Sequence, residues 1–438
     1  MVRGDVQAIS TSTSAIGRSI ALSRYEDMIS LDFSISFRRS ARMAIVSFPL
    51  RDCPNCHGAT TFGNVDVYGS SVLLGCGRCR HTERIPLPQI RKSKLYLDQS
   101  FLSLVFKGED DRFLTVAERI KSLCAKQALV VPYSNIHEDE THQWRRHREL
   151  LDFIKATARG HEVVPTYNVI QDQFDRALDL WLTQQDPIFP IDKWVAFERE
   201  IDDWEGYYRI DVGGYYGDVE KIRAAKIESI SGLVETFDNW RNGSETVDEQ
   251  IDLELASAAR GYLNAYYTFV ERLAAGDYDV LLSGPINAQY VERLIRHRAL
   301  GETVDERVQS AIRFLHSSHF AAMPAQSISA RIYAALREQV RRGAYANKEK
   351  AIDRLSGFFF DVNHISVYAP YFDAMIVDRS MHELLRTDTV DLTGRWGTRL
   401  FSASNLEELE AWLTEIEDAI PSEQIEALPV AYPRLKLK

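Results

Sequence analysis

The stretch APYFDAMIVDRSM, residues 369–381, sets two aspartates at the ends of a short apolar run. Ala374 to Val377 read as a buried strand, because a short apolar run bounded by polar and turn-forming residues fits a strand inside a sheet. Along a strand, residues five apart point to opposite faces, and at ~3.3 Å per residue Asp373 and Asp378 stand roughly 16 Å apart. At most one of them joins any single cluster. A lone aspartate at a strand end is ordinary, since strand ends are solvated and Asp favours turns. What decides its meaning is the rest of the chain.

Three further stretches share the pattern. In KSKLYLDQSFLSLVF (92–106), Leu95 to Leu97 form a strand that ends in Asp98 and runs into a helix. Ala128 to Val131 make a second strand, after which PYSNIHEDETHQW (132–144) starts a helix at Pro132 or Ser134, with Glu138 and Glu140 on its first turns. FFFDVNHISVYAP (358–370) reads as a strand tail or loop, then a short helix opened by Asp361 and closed before Pro370. Thr398 to Ser404 is a fourth strand, followed by the helix NLEELEAWLTEIED, capped by Ser404 or Asn405. Strands alternating with helices imply an α/β fold, a parallel sheet with helices on both faces. Ligands of such sheets sit beyond the carboxyl ends of the strands. Asp98 and Asp378 both fall there, and helix starts at that edge can bring in Asp361 and Glu140. Asp373, at the other end of its strand, caps the turn before it.

YLDQS, VVPYSNIHEDET, DVNHISVYAP and MIVDRS, in this order, resemble the motifs of a PIN-like nuclease domain. The resemblance implies a metal-dependent nuclease with an acidic site of Asp98, Glu140, Asp361 and Asp378, acting on RNA rather than DNA. Glu138 competes for the second place, and Glu140 is preferred for its longer spacer after the strand. Clustered carboxylates without a histidine base or a thiol nucleophile suit hard cations, Mg²⁺ or Mn²⁺. One metal would activate water and a second would neutralise the departing oxygen. His137 and His364, close in sequence to these acids, are expected to orient substrate and not to act as catalytic acids.

The chain departs from the family pattern in length, because about 200 residues separate the second helix from Asp361. The PIN-like domain is therefore read as two halves, 93–150 and 347–438 with a C-terminal tail, split by a helical insertion over 151–346. Amphipathic spacing around Phe174, Leu178 and Trp181, along Leu263, Tyr266, Tyr267, Val270 and Leu273, and at Ile332, Leu336 and Val340 marks helices whose aromatic stripes are core. The insertion is expected to control access and not to supply chemistry. Arg145, Arg146 and Arg331 flank it and could grip a phosphate backbone.

Four of the five cysteines fall as Cys53-Pro-Asn-Cys56 and Cys76-Gly-Arg-Cys79. Two such knuckles brought together form the closed tetrahedral thiolate shell of a structural zinc. The Gly-punctuated, β-branched spacer reads as a hairpin, so 43–92 resembles a zinc ribbon, which cannot bury enough core to fold without its metal. Cys124 reads as a core residue. Between Phe37 and Lys94 ten Lys and Arg face three acidic residues, in a chain whose net charge is −11. Arg78, Arg80 and Arg84 of the ribbon are accordingly candidates for nucleic-acid contact. Residues 1–36, rich in Ser and Thr, read as a flexible arm; Met43 heads the apolar run AIVSFPL, leaving Met1 and Met43 both open as the start. With no run of roughly 18 apolar residues and no signal core, a cytoplasmic protein with no membrane partner is expected.

The functional expectation is a metal-dependent endoribonuclease in which ribbon and insertion select the target, with a regulatory protein as a further partner. Two alternatives stand beside it. One is a structure-selective DNase, the other a non-catalytic zinc-ribbon adaptor on an inactive nuclease-like fold.

Overall fold

The computed structural model describes residues 44–108, 110–197, 201–208 and 219–435. The N-terminal arm, Met1 and Met43 lie outside them. The described chain is mixed α/β with two four-stranded sheets. The first is antiparallel, in the order β1 (Phe48–Arg51), β2 (Phe62–Tyr68), β3 (Ser71–Cys76), β4 (Thr82–Pro86). Its first strand starts later than AIVSFPL suggests, since Ser47 bends the chain and gives its amide to the Asn64 carbonyl at 2.8 Å.

The second sheet is parallel and consists of β5 (Ser93–Leu97), β6 (Leu129–Val130), β7 (Ala374–Ile376) and β8 (Arg399–Phe401), in the order β6-β5-β7-β8. From β5 the chain steps outward to β6, then returns to lay β7 on the other side of β5. The order therefore reverses between β5 and β7. Leu97 pairs with Ile376, so Asp98 and Asp378 leave the sheet almost side by side, and the Asp98 amide bonds the Ile376 carbonyl at 3.0 Å.

Alternation along the central strands sorts side chains between two helical layers. Leu95, Leu97, Ala374 and Ile376 face one core, shared with α1 (Gln99–Lys107), α2 (Asp111–Ala125), α4 (His147–Thr157) and α11 (Leu406–Asp418); Cys124 is buried there. Tyr96 and Met375 face the other core. Its helices are α5 (Thr166–Leu182), α6 (Val219–Glu235), α8 (Pro324–Arg341) and α9 (Phe358–Tyr368), through Val169, Ile230, Ile332, Leu336 and Ile365 among others. Helices from 151–346 thus form one wall of the sheet. The remainder of that segment, with α7 (Val247–Ala274), builds an outer core around Phe174, Tyr262, Tyr290, Phe314 and Phe320. Along α7 the buried face runs through Tyr262 and Phe269, which leaves Tyr267 and Val270 exposed, contrary to the expected stripe.

Two local readings change. Phe358 to Phe360 open helix α9 and do not form a strand tail, because Phe358 and Phe360 are buried against neighbouring helices while Asp361 sits one turn in. At the start of α11, Asn405 occupies the cap position, but its side-chain oxygen takes the Ser402 amide at 2.7 Å and caps nothing.

The ribbon docks at the amino edge of the parallel sheet. Asn64 donates to Tyr207 Oη and the Val430 carbonyl, both at 2.8 Å, and Val67, Val72 and Leu87 pack on Trp204 and on Leu428 of α12 (Ser422–Ala431). Behind it lies a buried ion network in which Glu205 meets Lys92 at 3.6 Å and Arg159 and His161 at 2.8 Å.

Candidate metal centre

The carboxyl edge of the parallel sheet, where the strand order reverses, is where open α/β sheets place their ligands. Asp98 follows β5 and caps α1, its Oδ2 accepting from the Ser100 amide at 3.0 Å and from the Ser100 hydroxyl. Asp378 follows β7 and caps α10 (Arg379–Leu385), with Oδ1 taking the Met381 amide at 2.7 Å. Capping accounts for one oxygen of each. Asp361 and Glu140 cap nothing: Asp361 lies one turn into α9, and Glu140 near the end of α3 (Asn135–Thr141).

The four carboxyls lie close enough to repel one another. Burial, then Asp98, Glu140 and Asp378, hold the Asp361 carboxyl well above the usual range. Burial and then Asp98 push Glu140 up to about 8, against the pull of the Lys226 ammonium. Asp378 is raised by burial and by Asp98, outweighing the amides that bond it. A divalent cation among them would relieve that elevation. Glu138, the competitor of Glu140, is turned away into an ion pair with Lys155 at 3.3 Å.

Of the two histidines, His137 is fully committed. Its Nδ1 accepts from the Ser134 amide at 3.0 Å, closing the capping box of α3, and its Nε2 donates to the Leu97 carbonyl at 2.7 Å. It stiffens the edge of the sheet and has no nitrogen left for a substrate. His364 differs. It is 1% exposed, neither ring nitrogen completes a hydrogen bond, and Nε2 faces Asp98 Oδ1 at 3.9 Å. Burial, then neighbouring His137, push its pKa down to about 3, so at neutral pH it is an uncharged imidazole. One ligand atom each from Asp98, Asp361 and His364 lie within 4.8 Å of one another, a group able to hold a metal ion.

Two more side chains, absent from the sequence reading, meet this corner. Lys226 of α6 reaches across from the inserted helices, with its ammonium 5.3 Å from the Phe360 ring and its charge felt by Glu140 and Asp361. Arg354, exposed, lines with Tyr345, Ser380, Asp361 and Asp378 a cleft through which the acids meet solvent. Nothing in the local sequence distinguishes Lys226 from any helix lysine.

The expected nucleic-acid contacts scatter. Arg145 is exposed on the loop after α3; Arg146 pairs with Glu149 and covers the Phe106 and Trp144 rings at 5.4 and 5.9 Å. Arg331 is half-buried and donates to the Thr389 carbonyl at 3.2 Å, so it is spent on the fold and not held out toward a phosphate. Arg78, Arg80 and Arg84 are exposed on the ribbon, at the opposite edge of the sheet from the acids. Asp373 stands at that edge too, its Oδ2 taking the Lys94 amide at 2.9 Å and its Oδ1 paired with Lys193.

The ribbon carries a second group of ligands. Cys53 and Cys79 sulfurs are 3.6 Å apart, Cys56 and Cys76 3.7 Å, and all four converge within 4.8 Å as free thiols. A tetrahedron of Zn–S bonds of 2.3 Å has edges of roughly 3.8 Å, so this spacing is compatible with zinc, and far from a disulfide. Burial alone would push the Cys76 thiol up, but the Thr61 hydroxyl and the Arg78 and Cys79 amides outweigh it and bring it to about 6. That favours a ligating thiolate at Cys76, while at Cys56 the Gly58 amide is outweighed by burial and the three other thiols, which push it up to about 11, so that it would need the ion itself to give up its proton.

No protein-family model matches the chain, and neither a curated protein nor a solved structure is significantly similar to it. Among the described residues, no helix is long and apolar enough to cross a membrane.

Proposed function

We propose that the chain is a metal-dependent phosphodiesterase of the nuclease class, with its reaction centre at the carboxyl edge of the parallel sheet. The observation that carries this reading is the gathering of Asp98, Glu140, Asp361 and Asp378, from four separate elements, at the point where the strand order reverses. Stability alone gives no reason to bury that much like charge. Divalent ions bound there would lower the pKa of a coordinated water and stabilise charge on a phosphodiester. The chain's own residues supply the acidic cradle, the Lys226 ammonium beside it, and the cleft in which Arg354 meets an incoming phosphate. Zinc in the four-cysteine ribbon would be structural, because four thiolates leave no open position.

The preference for RNA rests on the resemblance of the sequence motifs to PIN-like nucleases, and on nothing in the site. The test offers labelled single-stranded RNA and DNA of one sequence, each with Mg²⁺, with Mn²⁺ and without metal. Metal-dependent cleavage with RNA favoured is expected. Cleavage of DNA alone would replace the substrate, and cleavage of neither would leave the adaptor reading.

A further inference from the structure

We infer that His364 is a metal ligand. With Asp98 and Asp361 it makes a mixed nitrogen–oxygen site for a divalent ion of the first transition row, in place of an all-oxygen Mg²⁺ site. The inference rests on the metal-dependent reading above and goes beyond it, since that reading requires only carboxylates.

His364 follows Asp361 by three residues on α9, so both side chains lie on one face of the helix. The ring is held in place. It stacks on Tyr96 at 5.1 Å with 22° between planes, and Tyr96 is itself fixed by a 2.9 Å hydrogen bond to the Ser134 hydroxyl. Nε2 points at Asp98 Oδ1, the oxygen that the cap of α1 leaves free. The Phe360 carbonyl, one turn back, lies near the ring without completing a hydrogen bond. A proton on Nδ1 would turn to that carbonyl and leave the Nε2 lone pair facing the acids, the usual second contact of a metal-bound histidine. A buried polar atom without a partner destabilises the fold, and an ion between Nε2, Asp98 and Asp361 removes that cost.

The donor set decides the ion. Mg²⁺ keeps oxygen ligands and gives up water reluctantly, whereas imidazole suits ions further along the first transition row. Mn²⁺ tolerates both donors and is the probe to use.

The full chain with its ribbon zinc retained is titrated with Mn²⁺ in the absence of nucleic acid, and the bound ion is read by pulsed paramagnetic resonance. The expected result is a ¹⁴N coupling from one directly bound imidazole. His364→Gln should abolish that coupling and weaken Mn²⁺ at least tenfold, while Mg²⁺, measured by competition, changes less than threefold. Because His364→Gln could disturb the core, the wild-type spectrum stands alone as a test: bound Mn²⁺ with oxygen ligands only, or no bound Mn²⁺, overturns the inference. The outcomes separate the two claims. Nitrogen-ligated Mn²⁺ without cleavage of any nucleic acid sinks the nuclease reading and leaves this one, and cleavage by an ion lacking nitrogen ligation does the reverse.

Discussion

At the scale of single residues, burial and then the neighbouring carboxyls hold Glu140, Asp361 and Asp378 above the usual carboxylate range. Glu140 has a folded pKa of about 8 against an ordinary 4.5, so between those values the folded state holds a proton that the unfolded state has lost. The Glu140 contribution to the stability of the metal-free chain should therefore fall as pH rises from about 4.5 through 8, and because the buried, neutral His364 works in the opposite sense below about 6.5, the net fall should show between about 6.5 and 8. Urea unfolding across that range checks this, and Glu140→Gln should flatten the slope. Asp98→Asn or Asp361→Asn should leave the metal-free protein no less stable, because the first removes a repulsive charge and the second replaces a carboxyl already pushed toward its neutral form by a neutral amide of like shape, while both reduce the stabilisation given by Mn²⁺. For the wild type that stabilisation is about 2.7 kcal/mol at 100 times the dissociation constant. A melting shift undiminished in both variants would show that the ion binds elsewhere. Asp98 and Asp378 could be read from the sequence because each ends an apolar run, a purely local signal. His364 could not be assigned, although Asp361-Val-Asn-His364 has the helical spacing of a ligand pair: its role depends on Nε2 lacking a partner, and only the packed structure shows that.

Among elements, the four-cysteine group and the acidic group lie on opposite edges of the parallel sheet, so they should fail independently. Cys76→Ser should release zinc, unfold β1 to β4 and free Tyr207 and α12 from their docking, while the Mn²⁺ response at the other edge persists; metal analysis with hydrogen exchange would follow both. The helices of 151–346, expected from the sequence to control access, also build the core of the sheet. Their residues Val169, Ile230, Ile332 and Leu336 cover the face of the sheet that Tyr96 and Met375 present, so deleting 152–345 would strip a core and not a cover. Lys226 carries the insertion into the site itself. Lys226→Met should slow cleavage and raise the pH needed for Mn²⁺ binding, since it removes the cation that pulls Glu140 down; an unchanged pH profile would mean that the lysine is a bystander. Helical periodicity revealed these helices but not their partners, because some of the residues they cover are more than 200 positions away in sequence.

For the molecule as a whole, the carboxyl edge is acidic and half-open, and the amino edge is braced by the ribbon and by the Glu205 network. Burial opposes the Glu205 charge, yet the His161 hydrogen bond together with Lys92 and Arg159 holds its carboxyl well below the usual range. Glu205→Gln leaves Lys92 and Arg159 without their carboxylate and should cost about 3–5 kcal/mol in global unfolding, with no direct effect on metal binding. A nucleic acid reaching both Arg78 or Arg84 and the acids would have to pass around the sheet, so ribbon contacts bear on where a long substrate is held and not on the bond cut. An acidic metal centre is tested most directly at the two aspartates that flank Ala374 to Val377. In single-turnover cleavage of labelled RNA with saturating Mn²⁺, Asp378→Asn should lower the rate about 100-fold or more. Asp373→Asn, whose carboxylate is tied to Lys94 and Lys193 at the far edge, should leave it near that of the wild type. Equal loss in both, from proteins that remain folded, or cleavage by the wild type that needs no metal, would contradict an acidic metal centre at the carboxyl edge.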